Sequence, residues 1–125
     1  MDTPLTTPQK VMRICLYLFA FIAITSGILQ MSMGEPDTTP RLDNIHRFLA
    51  GIYLGCGFIC GWAAWTVRQH NALVYLIALT GFLGGTGRLI SMQIVGIPEP
   101  AALWYGYTAV EIFVPIIIVL AQRSR

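Results

Sequence analysis

The sequence predicts an all-α fold, an integral membrane four-helix transmembrane bundle, and three observations carry that prediction. Of its 125 residues, 55% are hydrophobic and only 11% charged, against about a quarter charged in a soluble domain. Mean hydropathy is +0.65. Four apolar runs, each near the roughly 20 residues a bilayer span requires, follow one another with short polar connections. They use nearly the whole chain, so a single domain over residues 1–125 is expected. Spanning β-strands would alternate polar and apolar residues over about ten positions, and these runs are continuous.

Residues 1–9 are polar, contain Pro4 and Pro8, and read as a disordered leader. The first helix is expected over about 10–33. Lys10 and Arg13 before an apolar stretch resemble a signal peptide, but the run Val11 to Met31 is long for one and no small-x-small cleavage site follows. A retained helix is therefore predicted. Gly34-Glu35-Pro36-Asp37-Thr38-Thr39-Pro40 is dense in turn formers and breaks it. The second helix is expected over 42–67, capped by Asp43 or Asn44. After the polar turn Arg68-Gln69-His70-Asn71, a third helix is expected over 72–95. Gly96-Ile97-Pro98-Glu99-Pro100 separates it from a fourth, 101–122.

Lys10, Arg13, Arg68, Arg123 and Arg125 fall at one end of these helices. Arg41 and the acids Glu35, Asp37, Asp43 and Glu99 fall at the other. Because basic residues favour the cytoplasmic side, both termini are expected in the cytoplasm.

Several chemistries find no footing. The net charge of +2 comes without a run of like charge, so no nucleic-acid surface is predicted and the lipid bilayer is the expected partner. Cys15, Cys56 and Cys60 lie inside apolar runs, where thiols act as small hydrophobes. Cys56 and Cys60 lack the Cys-x-x-Cys spacing of thiol oxidoreductases. His46 and His70 stand near opposite ends of the second helix, not at the matched depths a bis-histidine haem needs. The glycines around Gly84-Gly85-Thr86-Gly87 lie inside a span with no strand before them, so close packing is expected there instead of a phosphate loop. No cofactor, metal site or catalytic residue is predicted, and the balance leans away from an enzyme because no nucleophile–base pair stands at workable spacing.

The informative residue is Glu111, in the middle of the apolar run Ala101 to Gln122. Ionisable side chains at such depth are expensive and usually functional. At about 1.5 Å of rise per residue, Arg47 lies roughly 7 Å and Arg88 roughly 12 Å from the outer helix ends, with Glu111 about 15 Å in. Residues three or four apart share a helix face. Asn44, Arg47, Gly51 and Gly55 form one such stripe; Gly81, Gly84, Arg88 and Ser91 a second; Trp104, Tyr107 or Thr108, Glu111 and Pro115 a third. The charges thus share faces with small residues, which let membrane helices approach closely. Pro115 lacks the N–H that would bond the Glu111 carbonyl, so a bend is expected there. Trp104 and Tyr107 fit either a pocket wall or an interfacial aromatic belt.

The stretches Asn44-x-x-Arg47-Phe48-x-x-Gly51-x-Tyr53-Leu54, Phe82-Leu83-Gly84-Gly85-x-Gly87-Arg88-Leu89-x-Ser91 and Gly96-x-Pro98-x-Pro100, with Glu111 and Pro115, resemble the membrane family described as domain of unknown function 4345. The resemblance covers nearly the whole chain. It implies a small protein of the bacterial inner membrane and treats Asn44, Arg47, Arg88 and Glu111 as one constellation, but it supplies no activity.

The leading expectation is a small multi-pass inner-membrane protein that binds a small amphipathic or lipid-like molecule in a polar pocket facing the outer leaflet. Asn44, Arg47, Arg88, Ser91, Trp104, Tyr107 and Glu111 are its expected ligand-binding residues. One alternative is a proton-coupled transporter acting as a homodimer. Another is a non-catalytic accessory subunit of a larger membrane partner, docked through its glycine faces. Against all three stands an ion pair that only fixes helix register.

Overall fold

The computed structural model describes residues 3–34 and 36–124. These form four α-helices: α1 (Thr7–Met33), α2 (Pro40–Trp65), α3 (Ala72–Val95) and α4 (Ala101–Ser124), with a 3₁₀ turn at Val67–Gln69. Each α-helix is long and apolar enough to cross a membrane, and no more than 28% of any spanning window is buried. Much of each span, including Phe21, Phe48, Phe58, Trp65 and Phe113, is exposed, as suits surfaces solvated by lipid. The chain is a multi-pass membrane protein. Of the charges used to orient it, Glu35 and Arg125 lie outside the described residues, as do Met1 and Asp2 of the expected leader.

The helix ends differ from the sequence reading in four places. α1 begins at Thr7, inside the expected leader, because Thr6 and Gln9 form a reciprocal cap. Gln9 N donates to Thr6 Oγ1 at 3.3 Å, and Thr6 N donates to Gln9 Oε1 at 3.0 Å. Pro8 falls in the first turn, where a missing N–H costs nothing. The cap of α2 is Thr39, not Asp43 or Asn44: its hydroxyl accepts from Leu42 N at 3.2 Å, and Pro40 opens the helix. α2 stops at Trp65, two residues short of expectation, where Thr66 turns both its N–H and its hydroxyl onto the Trp62 carbonyl. α3 has the expected bounds, ending at Gly96 with φ +95°. α4 runs two residues beyond Gln122.

By their contacts the residues separate into two compact units, one of residues 16–67 and one of the chain up to Cys15 together with Arg68 onward. In the first, α1 and α2 run antiparallel along a seam of small residues. Ala20 faces Gly61, Ile24 faces Gly57 and Gly27 faces Leu54, so a step along one helix is matched by the reverse step along the other. The approach is close. A methyl group on Gly57 would stand 2.6 Å from Ile24 Cγ1, and one on Gly27 would stand 3.0 Å from the Ala50 carbonyl oxygen.

In the second unit α3 packs on α4. The buried residues of α4, Thr108, Glu111, Val114, Pro115, Ile118, Ala121 and Gln122, follow the three-and-four spacing of one helix face. Val74, Ile77, Ala78 and Gly85 do so on α3. At one end the buried Gln122 amide donates to the carbonyls of His70 and Asn71 and to Asn71 Oδ1, at 3.1–3.3 Å. That last bond explains why the Asn71 side chain does not cap the helix it precedes. Arg68 donates to the Thr3 carbonyl.

Candidate functional site

Two polar clusters hold the intramembrane charges, one in each unit. In the first, Arg47 Nε donates to both carboxylate oxygens of Asp43, at 3.0 and 3.2 Å. Its Nη1 donates to the Met31 carbonyl, one of those left open at the end of α1. Gly34 makes room for it: with φ +66°, its missing Cβ would lie 2.6 Å from Arg47 Nη2. Beside this clamp, His46 hydrogen-bonds Gln30. Arg47 therefore serves as a side-chain cap for α1. The sequence signal for it is the four-residue spacing of Asp43 and Arg47, a standard helix ion pair, which competes with the N-cap reading of Asp43.

In the second, Arg88 of α3 grips Glu111 of α4 side-on. Nε donates to Oε1, and Nη2 to Oε2 at 3.3 Å. One glycine sets the approach. Gly85 lies against the Glu111 Cβ, and a methyl on Gly84 would reach only van der Waals distance, 4.0 Å, from Oε2. The side chains are 29% and 12% exposed respectively. The Arg88 guanidinium carbon lies 5.5 Å from the Trp104 ring centre and 5.4 Å from that of Tyr107, and the two rings meet edge to face at 62°. Thr108 buries its hydroxyl by donating to the Trp104 carbonyl at 2.8 Å.

Chemically this is a charge-assisted pair, stronger than a neutral hydrogen bond, walled by two aromatic rings. It spends two of the five guanidinium N–H groups. Among the described residues, the others have no hydrogen-bond partner, nor do the Trp104 indole N–H and the Tyr107 hydroxyl.

Of the seven residues singled out by sequence, Arg88, Trp104, Tyr107 and Glu111 thus come together in one cluster. Ser91 is exposed one turn further along α3. Arg47 has its own carboxylate partner, and Asn44 is exposed on α2. An apolar groove of about 300 Å³ between α3 and α4, bounded by Tyr75, Phe82, Pro115 and Val119 among others, includes none of the seven.

A span-length helix pair carrying an arginine–glutamate bridge defines a class, the multi-pass membrane proteins with paired intramembrane charges. Within that class the chain belongs to the family described as domain of unknown function (DUF4345), whose family model matches residues 9–122. No curated protein and no solved structure matches it.

Proposed function

We propose that this is a small protein of the bacterial inner membrane, with both termini cytoplasmic, that binds a small amphipathic or lipid-like molecule at the Arg88 cluster, towards the outer leaflet. One observation carries the reading. Arg88 turns one edge to Glu111 while its remaining N–H groups, the Trp104 indole N–H and the Tyr107 hydroxyl lack hydrogen-bond partners among the described residues of a spanning segment. Unsatisfied donors at such depth cost several kcal/mol (~) in lipid, so an acceptor brought by a ligand is favoured. The half-buried Trp104 and Tyr107 rings would contact its apolar part. The orientation rests on Arg68 and Arg123 at one end of the helices and Asp37 and Glu99 at the other.

Native mass spectrometry from gentle detergent tests this. A small molecule bound to the wild type and lost or exchanged in Arg88→Ala and Glu111→Gln supports the site. A ligand-free protein whose variants differ only in stability reduces the pair to a structural bridge.

A second reading, docking onto a further membrane protein or another copy, rests on Gly55, Gly87 and Gly106. A methyl group at any of these would meet nothing within 4 Å among the described residues, so none of them serves close packing within its own unit. A stoichiometric partner retained in mild detergent would favour it.

A further inference from the structure

We infer that the head group taken at Arg88 is zwitterionic, an oxyanion with an ammonium close beside it, as in a phosphoethanolamine. This rests on the binding site proposed above and adds the charge of its occupant.

The donors require an oxyanion. Arg88 keeps N–H groups unspent on Glu111, and the Trp104 and Tyr107 rings, whose indole N–H and hydroxyl have no partner among the described residues, stand 5.5 and 5.4 Å from its guanidinium carbon. A phosphate or carboxylate oxygen is what such a set binds.

The charge balance limits which oxyanion. Arg88 is the only lysine or arginine between Ala72 and Gln122, and the Glu111 carboxylate already offsets it through both oxygens. A head group with net negative charge would sit beside that carboxylate with no second cation on α3 or α4, in surroundings that screen charge poorly. An oxyanion that brings its own ammonium leaves the site neutral. The ammonium has partners here too. Each Glu111 oxygen accepts a single N–H from Arg88 and keeps lone-pair capacity. The site and the head group are thus matched dipoles.

The test reconstitutes the full chain into nanodiscs of equal phosphatidylethanolamine and phosphatidylglycerol with identical acyl chains, then counts lipids retained in native mass spectra. The wild type is expected to enrich phosphatidylethanolamine about five-fold or more, the scale of one modest charge interaction. Glu111→Gln, which leaves the site with net positive charge, is expected to turn the enrichment towards phosphatidylglycerol. A merely structural glutamate would not produce that exchange. Arg88→Ala is expected to lose both lipids, and Arg88→Lys, which keeps the charge, covers the case in which the alanine variant does not fold. Glycerophosphoethanolamine, the soluble head without chains, separates the two sources of this chemistry. Displacement of lipid by it points to a soluble zwitterion and resistance points to the lipid, both within the inferred class. Enrichment of phosphatidylglycerol by the wild type, or a ratio indifferent to Glu111→Gln, overturns the inference. If that phosphatidylglycerol is lost in Arg88→Ala, the binding site still stands; if no variant changes lipid retention, the site falls as well.

Discussion

The Cβ of Glu111 rests against the α3 backbone at Gly85, where a methyl group would stand 3.1 Å from it and 2.8 Å from Ile112 Cδ1. The glycine thereby fixes how near the carboxylate comes to Arg88. Gly85→Val is expected to push the helices apart and to destabilise the protein by about 1–3 kcal/mol. Gly87→Ala, with open space around it, should be neutral or stabilising by up to about 1 kcal/mol. Thermal unfolding in detergent compares the two; equal effects would contradict the packing described.

Breaking the Arg88–Glu111 bridge from one side should cost more than removing it whole. Arg88→Leu or Glu111→Leu alone leaves a largely buried charge without its partner, a loss of up to about 3–5 kcal/mol. The double replacement is expected to recover most of that stability. A double-mutant cycle by thermal denaturation measures the difference, and strictly additive effects would mean that the two groups do not interact.

Gly34→Ala is expected to cost about 1–2 kcal/mol, because its φ of +66° is unfavourable for a residue with a Cβ and the added carbon meets the Arg47 guanidinium. Arg47→Ala should loosen the same region by uncovering the Met31 carbonyl and the Asp43 carboxylate. Faster hydrogen exchange at the end of α1 and the start of α2, in both variants, is the readout.

Gln122→Leu deprives His70 and Asn71 of their shared donor. A loss of about 1–3 kcal/mol is expected from the hydrogen bonds removed. Gln122→Glu cannot donate and should be no better. Exchange at the turn before α3 would report the effect, and protection equal to the wild type would argue against the bonds.

The spans were legible because membrane helices declare themselves by length and hydropathy, a signal summed over some twenty residues. Their ends were not, because single side chains decide them. Thr6 and Gln9 extend α1 back through a segment containing Pro8, Thr39 takes the cap from Asp43, and Thr66 stops α2. Depth and helical periodicity put Arg88 and Arg47 alike within reach of Glu111, and Trp104 and Tyr107 on its face, without choosing between the two arginines; the structure joins Glu111 to Arg88. What those rules could not supply is the competition for Arg47. Asp43, one turn earlier, and the open carbonyl of Met31 both claim it, and only three-dimensional placement reveals the second.

The Arg88–Glu111 bridge also bears on how the protein enters its membrane. Each residue alone would burden its helix with an uncompensated charge, about 2.5–3.5 kcal/mol for arginine at mid-span. The loop Gly96 to Pro100 joins them so closely in sequence that neutralisation needs only the next helix to emerge. During biogenesis the hairpin of α3 and α4 is then expected to be the unit that partitions into lipid. Glycosylation mapping of α3 alone, against α3 followed by α4, should find the isolated helix inserting less efficiently, and Arg88→Leu should abolish that dependence.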